Sequence, residues 1–141
     1  MNFPIWELEL GGGLLIAAVA IVHDCGFVAR AFAGDPEHLK DLLVAAVRHR
    51  GLSYIEVIQP CITWGTRPFS WYKDRIYRLD QAYDPGDKIR ALEKVMEGGE
   101  KIPIGLLYED SERNVFGHRF RESVAESPLA ELDPVDATGI E

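Results

Sequence analysis

An apolar run that ends at a proline limits most strongly how this chain folds. Leu52 to Ile58 is rich in β-branched and aromatic residues, contains neither glycine nor proline, and has the length of a strand. It therefore predicts a strand buried within a sheet. Proline has no N–H for a central ladder, so the chain leaves the sheet at Pro60. This places Cys61 in a loop at the carboxyl end of the strand, which is the edge where ligands bind in open α/β sheets.

A strongly marked helix precedes that strand. Asp35 is suited to cap it, Pro36 occupies the first helical position, and Gly51 closes it. Its predicted apolar face consists of Leu39, Leu42, Leu43, Ala46 and Val47. Cys25 to Phe32, upstream, predicts another strand. Strand, helix and strand together indicate a right-handed βαβ unit whose two strands are parallel.

The segment after Cys61 mixes aromatic and basic residues, a combination that also occurs in proteins that bind single-stranded nucleic acid. Tyr72, Arg75, Ile76 and Leu79 recur at helical spacing after a possible Ser70 cap, so we interpret several of the aromatics as packing residues of a helix.

Two further elements complete the predicted sheet and its helices. The turn 84–87 starts an amphipathic helix, and Ile102 to Tyr108 predicts a final strand. The apolar face of that helix is expected to carry Ile89, Leu92, Val95 and Met96, with Gly98-Gly99 as its stop. Pro103 and Gly105 favour an edge position for the strand.

Composition sets the outer limits of what the chain can be. It has 141 residues, 47% of them hydrophobic, and a net charge of -8, which argues against a nucleic-acid partner. The apolar run from Gly11 to Val22 is too short to span a membrane, and two cysteines favour a reducing, cytoplasmic compartment. We predict a poorly defined lead-in over 1–13, one α/β domain over 14–121, and an acidic, disordered tail over 122–141.

Several short motifs occur in one order along the chain. They are Phe-Val-Ala-Arg-Ala-Phe-Ala-Gly-Asp-Pro-Glu-His-Leu (27–39), Gln-Pro-Cys-Ile-Thr (59–63), Trp-Tyr-Lys (71–73), Tyr-Asp-Pro (83–85) and Ile-Pro-Ile-Gly-Leu-Leu-Tyr (102–108). Together they resemble the carboxyl-terminal part of the β subunit of 2-oxoacid:ferredoxin oxidoreductases, the subunit that binds thiamine diphosphate. The resemblance spans roughly residues 20 to 125.

The resemblance implies a partial thiamine-diphosphate-binding fold, a mostly parallel sheet with flanking helices. In this family, oxidative decarboxylation of a 2-oxoacid yields an acyl-coenzyme A, and electrons pass through a 4Fe-4S cluster to ferredoxin. The cysteine at the position of Cys61 is the fourth ligand of that cluster. The resemblance assigns no catalytic residue to this chain. The expected partners are the α subunit, the remainder of the β subunit and ferredoxin, with no nucleic acid and no membrane.

The resemblance also implies what this chain lacks. The family's other three cluster cysteines, and the Gly-Asp-Gly segment and asparagine that hold Mg²⁺ and the diphosphate, belong to the amino-terminal half of the subunit. We therefore expect no thiamine diphosphate, Mg²⁺ or 4Fe-4S cluster to bind this chain alone, and we expect the isolated chain to be inactive. Gly65 follows Trp64 where the family commonly has Asn after Phe. The alternative is a non-catalytic binding or assembly module that retains the fold.

Other polar residues have simpler interpretations. Cys25 is expected to be a buried residue at the entry to a strand. His23 and Asp24 are adjacent, which favours a turn or helix end over an acid–base pair. Surface positions are expected for His38, His49 and His118. Arg30 either binds a substrate carboxylate or a partner, or simply sits at a sheet face or edge.

Overall fold

The computed structural model describes residues 16–61, 63–65, 67–97 and 101–112. The predicted lead-in, the predicted tail, His118 and the Gly98-Gly99 stop lie outside these ranges. The helices of the described part are α1 (16–22), α2 (Pro36–Arg48), α3 (Phe69–Arg75) and α4 (Lys88–Met96). Its strands are β1 (Phe27–Phe32), β2 (Ser53–Ile58), β3 (Ile76–Arg78) and β4 (Ile102–Glu109).

The four strands form one sheet in the order β2-β1-β4-β3. β1 and β2 are parallel, with Phe27 opposite Ser53 and Phe32 opposite Ile58, which confirms the predicted strand–helix–strand pairing. β4 runs antiparallel to β1, and β3 runs parallel to β4. The predicted α/β class, with a mostly parallel sheet and flanking helices, is therefore confirmed.

Every residue of β1 is buried, because helices cover both faces of the sheet at this strand. On one face Val28 belongs to a cluster with Ala17 of α1 and Val95 of α4. On the other face Ala29 packs with Leu42 of α2. Burial on both faces explains why β1 is a continuous run of mainly apolar residues with no alternation.

The ends of α2 follow the sequence signals, but its apolar face is narrower than predicted. The Asp35 carboxylate accepts a hydrogen bond from the His38 N–H at 3.4 Å, and Gly51, beyond the helix, has a φ of 140°. Leu42 is buried, whereas Leu43 is exposed and Val47 is 85% exposed.

Helix α4 also begins where the sequence predicts and has a narrower apolar face than predicted. Asp87 caps this helix, as the predicted turn suggests. The residues buried there are Ala91 and Val95, while Ile89 and Met96 are exposed. Each of these two helices therefore buries a narrower strip than its apolar spacing indicates.

The helix predicted to continue through Ile76 and Leu79 ends earlier. α3 stops at Arg75, and its N-cap is Pro68, without a side-chain cap bond, where Ser70 was predicted. Ile76 instead begins β3, which pairs with the first three residues of β4. Pairing with a distant strand outweighs the helical spacing, because β-branched and aromatic residues suit a half-buried strand.

The predicted edge position of β4 is wrong, since this strand lies between β1 and β3. The hydrogen-bonded ladder between β4 and β1 runs from Glu109 to Gly105 and does not reach Pro103. The N–H that proline lacks is therefore not needed for a hydrogen bond to β1. Gly105 has a φ of 137°, which favours glycine, and an added Cβ would lie 3.4 Å from Leu79. Proline and glycine are tolerated in this inner strand for these local reasons.

Arg30 lies inside the fold. Its side chain is fully buried, and Nε donates to Glu56 Oε2 at 2.7 Å, which joins β1 to β2 across one face of the sheet. The two terminal nitrogens have no hydrogen-bond partner in the described part of the chain. Arg30 therefore occupies a sheet face, as one of its predicted alternatives has it, and binding of a substrate carboxylate or a partner stays a prediction.

We expect removal of Glu56 to be costly. Glu56→Ala leaves the Arg30 charge buried without a counterion and should lower the free energy of unfolding by about 3 kcal/mol. The double substitution Arg30→Met with Glu56→Met removes both charges and should recover most of that loss, as measured by urea denaturation.

The exposed Lys40–Glu37 pair provides the matched control. Glu37→Ala should change the free energy of unfolding by no more than about 0.5 kcal/mol, since exposed ion pairs are well solvated. Equal effects of Glu56→Ala and Glu37→Ala would contradict a stabilising role for the buried pair.

Candidate functional site

The loop after β2 carries the predicted metal ligand. β2 ends at Ile58, Pro60 follows without joining a ladder, and Cys61 is exposed. Because β1 and β2 are parallel, this loop shares a sheet edge with the turn that follows β1. The structure therefore places Cys61 where the sequence predicts, just beyond the carboxyl end of the strand.

A tight turn surrounds the Cys61 thiol. The Gly65 N–H donates to the Cys61 carbonyl at 3.0 Å, and the Trp64 N–H donates to Sγ at 3.3 Å. An added Cβ at Gly65 would lie 2.2 Å from the Cys61 carbonyl oxygen, so this turn has room only for glycine. The glycine that departs from the family pattern thus has a steric reason.

Backbone hydrogen bonds favour the thiolate form of Cys61. The pKa of this thiol is lowered, chiefly by the Trp64 N–H and then by the N–H groups of Thr63 and Gly65. Hydrogen bonds to an anion stabilise it relative to its protonated form. A thiolate is the form of cysteine that binds metal, and hydrogen bonds to sulfur tune iron–sulfur centres. An exposed thiol whose pKa is lowered fits one ligand position of such a cluster.

The described residues fit one ligand position and no more. Cys25 is buried, and its thiol donates to the carbonyls of Phe27 and Leu52. It lies at the amino end of the paired strands, separated from Cys61 by the length of a six-residue strand, about 17 Å. Within the ranges the structure describes, no group of three or more His, Cys, Asp or Glu side chains is arranged to hold a metal ion.

Aromatic and basic side chains lie close to this turn in sequence. Trp64 is 86% exposed, and Phe69 at the start of α3 stacks on Phe32 with ring centroids 5.3 Å apart. The Arg67 and Arg75 guanidinium groups both contact the Trp71 ring, at 5.3 and 4.3 Å from its centroid. The helical spacing predicts packing roles for several of these aromatics and does not reveal the stacked arginines, although the four-residue interval on each side of Trp71 is visible in the sequence.

An ion pair closes the same edge of the sheet. Arg78 at the end of β3 donates two hydrogen bonds to Asp35, at 2.9 and 2.6 Å. The Arg78 hydrogen bonds hold the pKa of the Asp35 carboxyl below its usual value. Asp35 thereby both caps α2 and fixes β3 against the turn after β1.

The histidines take structural positions. The side chain of His49 is 4% exposed, packs on Phe27, and lies 3.7 Å from a Glu109 oxygen, so its predicted surface position is wrong. Gly26 leaves space for this ring, since a Cβ there would be 2.6 Å from it. His38 is half-buried, and burial lowers its pKa.

His23 and Asp24 lie in the turn after α1. His23 is exposed, whereas Asp24 accepts a bond from Lys88 at 2.5 Å. The predicted turn is confirmed, and Asp24 has a φ of 62°.

A cavity of about 570 Å³ lies away from Cys61, between β3 and α4. Lys94 Nζ donates to Glu97 at 2.5 Å and lies 3.1 Å from the Tyr77 hydroxyl, which itself donates to Glu97. The sequence does not predict this network, because Tyr77 belongs to β3, whereas Lys94 and Glu97 belong to α4 and its C-cap. It satisfies its own charges and donors, and so we treat it as a structural contact.

Comparisons with known proteins identify the relatives of this chain. A family model for the C-terminal region of the pyruvate ferredoxin oxidoreductase beta subunit matches residues 61–124, beginning at Cys61. A 2-oxoacid:ferredoxin oxidoreductase subunit beta from a Sulfolobus species is 42% identical over 105 residues, covering 66% of this chain and 34% of that protein. The protein of the same description from Saccharolobus solfataricus is 36% identical over 117 residues, covering 74% of this chain and 38% of that protein.

A solved structure is also similar to this chain. The 2-oxoglutarate:ferredoxin oxidoreductase from Magnetococcus marinus, solved with 2-oxoglutarate, coenzyme A and succinyl-CoA bound, matches with a TM-score of 0.70 at 26% identity. The match covers 79% of this chain and 39% of that chain. This chain is homologous to the carboxyl-terminal part of 2-oxoacid:ferredoxin oxidoreductase β subunits.

The homology confirms the resemblance carried by the sequence motifs. The chain spans about a third of the length of the β subunits that it matches. None of the helices in the described ranges has the length and apolar character needed to cross a membrane.

The geometry of the turn around Cys61 predicts how a substitution at Gly65 would change the pKa of the Cys61 thiol. Gly65→Ala would force its Cβ against the Cys61 carbonyl and open the turn, which removes N–H groups from the sulfur. The pKa of Cys61 should then rise toward that of an ordinary thiol, and alkylation by iodoacetamide as a function of pH measures it. Cys25 is buried and should not react in the folded protein.

Gly86→Ala provides the control, because Gly86 is an exposed turn glycine whose added Cβ would meet only the Asp84 side chain. It should leave the alkylation profile unchanged. An identical profile for wild type and Gly65→Ala would show that the turn does not set the acidity of Cys61.

Proposed function

We propose that this chain acts as the carboxyl-terminal part of the β subunit of a 2-oxoacid:ferredoxin oxidoreductase. With the α subunit and the remainder of the β subunit, it takes part in oxidative decarboxylation of a 2-oxoacid to an acyl-coenzyme A. Electrons leave for ferredoxin. The observation that carries this proposal is the exposed Cys61 thiol in a turn whose N–H groups favour the thiolate. Homology to these β subunits supports it independently.

In this proposal Cys61 supplies one of the four thiolates of a 4Fe-4S cluster. The cluster, when bound, carries single electrons from the reaction to ferredoxin. The chain's own contribution is to hold the sulfur in place: the Gly65–Cys61 bond fixes the turn, and the end of β2 anchors it to the sheet. The other three thiolates come from the remainder of the β subunit.

Thiamine diphosphate and Mg²⁺ are assigned in this proposal to the remainder of the β subunit. A diphosphate needs a helix amino terminus or glycine-rich turn shaped for it, and Mg²⁺ needs oxygen ligands in octahedral array. The described residues present no group of three or more carboxylate, histidine or cysteine side chains for such an ion. The proposed role of this chain is therefore in electron transfer and assembly.

Cluster reconstitution tests the role of Cys61. The chain alone, treated with iron and sulfide, should form no stable four-iron cluster, because its two cysteines are at opposite ends of the sheet. Reconstitution with the remainder of the β subunit should produce the cluster's broad visible absorption. Cys61→Ser should abolish most of it, since one of the four thiolates is lost.

Cys25→Ser is the matched control and should keep the cluster. Wild-type cluster content in Cys61→Ser would remove Cys61 from the ligand set. A colourless wild-type complex would instead favour the alternative of a non-catalytic assembly module.

Cofactor binding gives a separate prediction. Calorimetric titration of the isolated chain with thiamine diphosphate and Mg²⁺ should give no measurable heat of binding. Titration of the chain mixed with the remainder of the β subunit should give a measurable heat of binding. A micromolar dissociation constant for the isolated chain would contradict this division of roles.

A further inference from the structure

Exposed apolar side chains at the end of α2 lie beside two arginines. Val47, in the last turn of the helix, is 85% exposed, and Leu52, just before β2, is 72% exposed. Arg48 and Arg50 lie between them in sequence and are also exposed. We call these four residues the Val47–Leu52 surface. An exposed apolar area beside arginines is typical of a surface that binds protein.

The arginines of this surface have no counterion of their own. Within the described ranges, neither Arg48 nor Arg50 forms an ion pair. Arg67, Arg75 and Arg90 form none there either, so unpaired charge alone does not select a binding surface. The path of the chain is what distinguishes the Val47–Leu52 surface from the others.

The chain leaves the sheet at the edge that carries this surface. β4 ends at Glu109, and a carboxylate oxygen of this residue lies 3.7 Å from Nδ1 of His49. The next residue, Asp110, donates its N–H to the Gly26 carbonyl at 2.8 Å. The described part of the chain ends two residues further on. Residues 113–141 therefore continue from the edge where the Val47–Leu52 surface lies.

The acidic segment 122–141 is complementary to that surface. It contains six acidic residues and no lysine or arginine. Apolar residues are interspersed among the acids, namely Val124, Leu129, Leu132, Val135 and Ile140. Such a segment matches arginines with its carboxylates and exposed apolar side chains with its own. The family match ends at residue 124, so most of this segment lies beyond the matched region.

The covalent connection keeps the acidic segment close to the Val47–Leu52 surface. Residues 113–121 separate it from the described part of the chain, a distance of at most about 35 Å. Binding within one chain occurs at a roughly millimolar effective concentration when the connection is short, so weak contacts are sufficient. Arg67 and Arg75 lie at the opposite edge of the sheet, farther away by about 17 Å, the length of a six-residue strand.

We propose that the acidic segment 122–141 binds the Val47–Leu52 surface of its own chain. Its carboxylates pair with Arg48 and Arg50, and its apolar residues cover Val47 and Leu52. The inference does not depend on the proposed function, because it involves neither Cys61 nor a cofactor. An acidic partner reaches these arginines only by displacing the segment.

Paramagnetic NMR on the full chain tests this contact. Thr138→Cys in a Cys61→Ser background places one reactive thiol in the acidic segment for a nitroxide label, because Cys25 is buried. The label should lower the amide signals of residues 47–52 by about half or more at low ionic strength. The signals of residues 67–75 should be unchanged. Added salt should restore the signals of 47–52, since it screens attraction between exposed charges.

Charge variants of the surface make the result specific. Arg48→Glu with Arg50→Glu should abolish the broadening at residues 47–52. Arg48→Lys with Arg50→Lys keeps both charges and should retain most of it. Arg67→Glu with Arg75→Glu makes the same change in net charge at the opposite edge of the sheet and should leave the broadening intact.

A variant of the segment guards against damage to α2. Arg48 lies in the last turn of this helix, where a positive charge is favourable, so reversing it also weakens the helix end. Neutralisation of the segment leaves α2 and the sheet unaltered. The triple substitution Glu131→Gln, Asp133→Asn and Asp136→Asn should also abolish the broadening.

Several results would overturn the inference. Broadening at residues 67–75, or confined to 113–121, would show that the segment binds other arginines. Unchanged signals at 47–52 in the labelled chain would show that the segment does not bind there. Broadening only between labelled and unlabelled molecules in a mixed sample would assign the contact to two copies of the chain. Loss of the broadening when the remainder of the β subunit is added would assign the Val47–Leu52 surface to that partner.

Discussion

Burial of β1 on both faces is the constraint that the rest of the described chain satisfies. Six successive buried residues need a strand on each side and a helical layer above and below. β2 and β4 supply the neighbouring strands, α2 covers one face, and α1 with α4 covers the other. The position of the Cys61 loop is a consequence, because parallel pairing with β1 fixes the edge at which β2 ends.

Local signals in the sequence were sufficient for the βαβ unit and insufficient for the rest of the sheet. The cap at Asp35 and the break at Pro60 act within a few residues, so sequence alone locates them. β3 depends on pairing with a strand more than twenty residues away, which no local pattern reports. The inner position of Pro103 likewise depends on where the ladder with β1 ends.

The candidate site is likewise only partly predictable from the sequence. The place of Cys61 at the sheet edge follows from the strand and the proline, both of which are readable in the sequence. The lowered pKa of the Cys61 thiol cannot be predicted from the sequence. It depends on backbone N–H groups of Thr63, Trp64 and Gly65, and the conformation of the turn directs these groups toward the sulfur. Gly65 marks this turn, but its meaning appears only once the approach to the Cys61 carbonyl is known.

Arginine serves two opposite purposes in this chain, and environment alone distinguishes them. Arg30 is withdrawn from water and requires Glu56 to offset its desolvation, so its charge is committed to joining β1 and β2. Arg67 and Arg75 lie against the ring of Trp71 and keep their charge available to solvent, with no carboxylate in the described ranges to neutralise it. A buried guanidinium therefore stabilises the sheet, while the stacked pair keeps its positive charge at the Trp71 ring of α3.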